Sequence, residues 1–152
     1  MKPKKGILKE AMKIPLAVLA DAANVSLEGK LNIFGIFNRI WAGSFPAHHP
    51  QMQLVLGFEA DSSESETEKR LEIQLMDADG KKLGGISGTF KVPKGTAGYP
   101  ILVNHIHSLS GVTFPKAGDY AFKIHLNGQF VTDVPIHVST PVASGGKKGK
   151  KK

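Results

Sequence analysis

The 152-residue sequence has no cysteine, one tryptophan and two tyrosines, and none of its apolar runs approaches the roughly 18 residues that a membrane-spanning helix requires. Without cysteine there is no disulfide, no thiolate zinc site and no cysteine nucleophile. That fits a reducing cytoplasm, although many exported proteins share it. Signatures of chemistry are equally scarce. No G-x-S-x-G elbow, P-loop or Rossmann fingerprint occurs, so acyl transfer, nucleotide hydrolysis and hydride transfer have no visible apparatus. Between 14 and 138 no segment of ten residues shows helical periodicity.

What the sequence has in excess is positive charge, +7 in all. It sits at the ends. Residues 1 to 13 hold five lysines and Glu10, a net +4, and residues 144 to 152 hold five lysines and no acid, a net +5. The intervening 14 to 143 has ten Lys or Arg against twelve Asp or Glu, a net −2. The high isoelectric point therefore belongs to two tails and implies no basic groove in the folded body.

Period-2 alternation and turn residues dominate that body. Strands are expected at about 14 to 22, 31 to 41 with Gly35 as a bulge, and 51 to 60, where Leu54, Leu56 and Phe58 share a face. Phe45-Pro46 and His49-Pro50 read as breaks before the third strand, and DSSESETE, 61 to 68, as a solvated loop. Leu71, Ile73 and Leu75 alternate into the Asp79-Gly80 hairpin, with a return strand near 82 to 92. Further strands follow at 101 to 114, near 119 to 126 and at 129 to 138, the last two joined at Asn127-Gly128. Tyr120, Phe122, Ile124 and Leu126 form an inner face. About eight strands predict an all-β protein, an antiparallel sandwich of immunoglobulin-like or C2-like type, with a closed barrel as the alternative. The domain is expected over 14 to 140. A basic extension precedes it at 1 to 13, with a short helical turn at 6 to 13. A Lys-rich tail follows at 141 to 152, too poor in apolar groups to order itself.

The first 23 residues, MKPKKGILKEAMKIPLAVLADAA, imitate a secretory signal with an A-x-A cleavage site. The apolar core IPLAVLA is short and carries Pro15, and Leu16, Val18 and Ala20 alternate as a strand would, so a first strand is the expected reading. LADAANVSLEGKLNIFGIFNRI, FPAHHPQMQLVLGFEA and SGVTFPKAGDYAFKIHLNG resemble segments of an uncharacterised family of small bacterial proteins of unknown function. That resemblance covers roughly 14 to 138 and implies a cytosolic, β-rich domain opening at LADAAN. It carries no activity, ligand or catalytic residue.

Of the residues that bear chemistry, His105 and His107 stand at i and i+2 on a strand, which puts both rings on one face, as a metal pair requires. They lack a third ligand, and ordinary half-buried histidines are the plainer reading. His125 and His137 fall on the outward face of the last hairpin, with His125 opposite Phe130. Asp77-Ala78-Asp79-Gly80 resembles the opening of a calcium loop, but Lys81-Lys82 follow where further acids belong, so the hairpin reading holds. Ser87 in GGISGTF has no nucleophile signature, and glycines there suit close packing or a bulge. No catalytic residue and no cofactor is assigned. Lys2, Lys4, Lys5, Lys147, Lys148, Lys150, Lys151 and Lys152 could contact nucleic acid or another polyanion through phosphate neutralisation, without aromatic groups for stacking. Trp41 with the loop 42 to 50, including His48 and His49, is a further contact candidate. Three readings follow: a non-enzymatic cytosolic sandwich that works through protein contacts or self-assembly; an anion-binding accessory protein using its lysine tails; and a metal-dependent enzyme or small-ligand binder at His105 and His107.

Overall fold

The structure, a computed structural model, describes residues 12–141. Alternating apolar residues make strands there almost without interruption. In chain order they are β1 (Met12–Val25), β2 (Leu31–Phe37), β3 (Arg39–Trp41), β4 (Ala47–Ala60), β5 (Glu68–Asp77), β6 (Lys82–Lys91), β7 (Ile101–Phe114), β8 (Gly118–Leu126) and β9 (Gln129–Ser139), with a 3₁₀ turn at Ser62–Glu64. They form a five-stranded sheet in the order β3-β9-β8-β5-β6 and a four-stranded sheet in the order β2-β1-β4-β7. All pairings are antiparallel except β3 with β9, which is parallel.

The expected inner faces meet between the sheets. Leu54, Leu56 and Phe58 come from one side, and Leu71, Ile73, Leu75, Tyr120, Phe122, Ile124 and Leu126 from the other, all buried. Each such side chain removed from water contributes about 1.5–3 kcal/mol. The hairpins close as their residues dictate. Asn127 and Gly128 adopt φ of 51° and 82°, the left-handed pair of a tight hairpin turn. At the β5–β6 turn, Asp77 Oδ1 accepts hydrogen bonds from the Asp79 and Lys81 amides at 2.9 and 2.8 Å.

Several details depart from expectation or add to it. The run 31 to 41 is two strands, because at Asn38 the chain leaves the four-stranded sheet and enters the other as β3. Nine strands result rather than eight, one of them in a parallel pair. His48, His49 and Pro50 do not break the chain but lie within β4. There β1 has already ended its pairing at Gln53, so Pro50 faces a side that needs no donor. In β1 a register shift between Lys13 and Leu16 sets Ile14, Ala17 and Leu19 toward the core. Leu16, Val18 and Ala20 therefore take the opposite parity, where Leu16 and Val18 are half-buried and Ala20 is covered completely. Finally, the loop after β4 is not wholly solvated, since Glu64 pairs with the buried Lys69. Met12 and Lys13, expected at the end of a helical turn, belong to β1, and the rest of that turn lies outside the described residues.

Candidate functional site

The two sheets are joined along one side and part along the other. Where they part, β6 and β7 stand as free edges among the described residues, each the terminal strand of its own sheet. The register explains the gap. On β6 the positions opposite the core-facing Leu75, Ile73 and Leu71 are Gly84, Ile86 and Gly88. Two of the three thus carry no side chain, and Ile86 stays 46% exposed despite facing inward. A β-carbon at Gly84 or Gly88 would meet nothing within 4 Å, whereas one at Gly85 would strike the Ile73 carbonyl oxygen at 2.7 Å. The glycines expected to serve close packing therefore do so at Gly85 alone. At 84 and 88 they leave a seam open.

The larger chamber of this seam holds about 420 Å³ above Ile73, Leu75 and Phe122, with Leu109 and Val112 on the β7 side. A smaller one of about 160 Å³ lies between Phe90 and the pair His105 and His107. Among the described residues no Asp, Glu, Lys or Arg lines either chamber. On β7, His105 is opposite Leu56 and His107 opposite Leu54, so both imidazoles point inward on one face, as their spacing required. Their ring centroids are 5.5 Å apart, and His105 is held edge-on by Phe90 at 4.5 Å and Phe58 at 4.9 Å.

His105 Nδ1 and His107 Nε2 are shut off from solvent without a hydrogen-bond partner. Protonation would place an N–H there with no acceptor. Burial pushes the His105 imidazole below its ordinary 6.5, and the neighbouring His107 lowers it further; burial alone lowers His107. Near neutral pH both rings are uncharged. Among the described residues no group of three or more His, Asp or Glu side chains could hold a metal ion, and two imidazoles fall short of the three or four protein ligands that zinc sites use.

The remaining candidates are dispersed. His125 lies on the outer face, 5.7 Å from its partner Phe130. His137 Nδ1 contacts Asp119 Oδ1 at 2.6 Å. Trp41 is 58% exposed, with the Arg39 guanidinium 5.3 Å from its ring. Lys2, Lys4, Lys5, Lys147, Lys148, Lys150, Lys151 and Lys152 lie outside the described residues. The seam itself escaped sequence reasoning. Its one signal was GGISG, in which Gly84 and Gly88 fall on one face of a strand with only Ile86 between them.

These features define a two-sheet β-sandwich with an uncharged cleft between free edges. The chain belongs to a family of unknown function (DUF6941), whose model matches residues 15–139. No curated protein matches it. Among solved structures, the alkylpurine DNA glycosylase AlkC of Pseudomonas fluorescens, bound to DNA containing an abasic site analog, is similar at 12% identity with a TM-score of 0.45. The likeness covers 86% of this chain and 31% of that one, so this chain spans about a third of the glycosylase. At that score the likeness carries no argument about function. Among the described residues no helix is long and apolar enough to cross a membrane.

Proposed function

We propose that the domain is a non-enzymatic, cytosolic binding module that works through protein contacts, taking an extended, uncharged segment into the seam by strand addition. One observation supports this reading: two unpaired strand edges flank a cleft that opens onto the core and has no charged lining. In strand addition, main-chain hydrogen bonds supply affinity and pockets for alternate side chains supply specificity. Gly84 and Gly88 leave such pockets on this edge. A charged side chain entering the cleft would lose its hydration with no partner in return, which selects for apolar residues. No carboxylate is present to orient or activate either imidazole, which disfavours general-base catalysis there.

The test is titration of a labelled seven-residue peptide of alternating valine and threonine, followed by fluorescence anisotropy. Binding should weaken by at least about tenfold with the Gly88→Val protein, and a matched peptide with glutamate in place of valine should not bind. Equal affinity for both proteins, or no binding to either, would overturn the proposal.

A further inference from the structure

We infer that the segment filling the seam is strand β2 of a second copy of this chain, so that copies join head to tail through their four-stranded sheets. This rests on the strand-addition reading above and names its occupant.

The first argument is chemical. Strand β2 reads Leu31-Asn32-Ile33-Phe34-Gly35-Ile36-Phe37, with no charge and no proline. Among the described residues it is the outermost strand of its sheet and pairs only with β1. Exposed edges are ordinarily blunted by lysine, proline or a bulge that turns them aside. This one carries neither lysine nor proline and keeps the same register with β1 on both sides of Gly35, whose φ of 70° leaves the Asp21–Gly35 position unpaired, and Phe34 and Ile36 on its outer face are 58% and 61% exposed. Beyond Ala20, β1 no longer pairs with β4. Residues 21 to 35 therefore stand out as a two-stranded arm, a structure marginal in water unless something covers it. An uncharged strand suits an uncharged cleft.

The second argument is directional. Each neighbouring pair in the order β2-β1-β4-β7 is antiparallel, so the two edges of the sheet run in opposite directions. A second copy in the same orientation brings its β2 antiparallel to β7, the geometry that needs no reversal of the sheet. Its faces also match. Phe37, Ile33 and Leu31 lie opposite Leu19, Ala23 and Val25, on the side that faces the core at Leu19, so in the added position they turn toward the seam.

The third argument is length. Strand β2 has seven residues, about 23 Å when extended, and the inward positions of β6 from Gly84 to Phe90 span the same number. Because β2 and β7 are different surfaces, the contact is heterologous and propagates to a ring or filament.

Sedimentation velocity on the full chain tests this. The wild type should form species larger than the monomer that grow with concentration. Ile33→Lys, which spoils the donor strand, and Gly88→Val, which closes the seam, should each be monomeric. Mixed, they should give a one-to-one dimer that grows no further, because one intact donor and one intact seam remain. That dimer would also show both variants to be folded; should Ile33→Lys melt early, Leu31→Lys on the same seam-facing side replaces it. A wild type that stays monomeric at about 500 µM, where even a Kd near 100 µM leaves most chains associated, overturns the inference. So does a folded pair that fails to dimerise, or a Gly88→Val protein that still assembles. If the valine-threonine peptide binds while the wild type is monomeric, the seam reading stands and its occupant is wrong. If neither the peptide nor the partner strand needs Gly88, the seam reading fails as well.

Discussion

At Asn38 the chain crosses from one sheet to the other, and the crossing is pinned where the His137 amide donates to the Asn38 carbonyl and the Ala42 amide to the Ser139 carbonyl, both at 2.8 Å. On the opposite side the chain passes from β6 to β7 through the loop 92–100 at one end, and no strand runs from one sheet into the other. The inward residues differ to match. Along the bridged side Ile40, Val134, Ile136 and Val138 are buried, while along the open side Gly84 and Gly88 alternate with a half-exposed Ile86. Both sides are made of ordinary strands. What separates a packed flank from an open one is the side-chain volume at two positions, Gly84 and Gly88.

The contrast can be broken most severely on the bridged side. Ile136→Ala removes a fully buried side chain and should cost about 2–5 kcal/mol, read as a lower urea midpoint with an unchanged slope. Ile86→Ala on the open side should cost under about 1 kcal/mol, because so much of that side chain is already in water. Equal losses would mean that the two flanks are packed alike. Next in size is Gly85→Val. Its β-carbon would press on the Ile73 carbonyl, and relieving that should cost about 1–3 kcal/mol.

Much of this architecture could be read from the chain. The alternation in Leu71, Ile73 and Leu75, in Tyr120 to Leu126 and in Leu54 to Phe58 specified the inner faces, because a strand that buries one face has only one acceptable phase. The shared face of His105 and His107 followed from the same period of two. Phase failed where a bulge intervened. In β1 the apolar residues Leu16 to Ala20 occupy both parities, so either face could have been the core, and the shift at Pro15 decided it. The crossing at Asn38 was illegible because IFNRIW is equally good strand on both sides of it. The seam was illegible for a further reason: an empty position is meaningful only once the strand opposite it is known.

A smaller effect than any of these core changes should come from pH, since both imidazoles are only partly buried. His105 and His107 ionise less readily in the fold than in the unfolded chain, whose value is near 6.5. Below that value the unfolded chain binds more protons, so their contribution to stability is intact above about pH 6.5 and declines as pH falls toward the lowered folded values. Melting temperature should therefore drop between about pH 7.5 and 5. The drop should shrink in a His105→Phe, His107→Leu protein. An unchanged drop would assign the acid sensitivity elsewhere.

The smallest expected effect on stability is the most informative about the open flank. Gly88→Val adds an isopropyl group where a β-carbon meets nothing within 4 Å, and it replaces a poor strand former with a good one. Three residues away on the same strand, Gly85→Val does the opposite. If the seam is a packing defect, filling it should stabilise the fold and change nothing else. If it is a binding cleft, Gly88→Val should leave the melting temperature within a few degrees, a change of about 0.5 kcal/mol or less, while slowing amide exchange on β6 no further and abolishing the protection that an added peptide gives to the β6 and β7 edges. Hydrogen exchange with and without peptide separates the two, because only a cleft links a nearly silent substitution to the loss of a ligand.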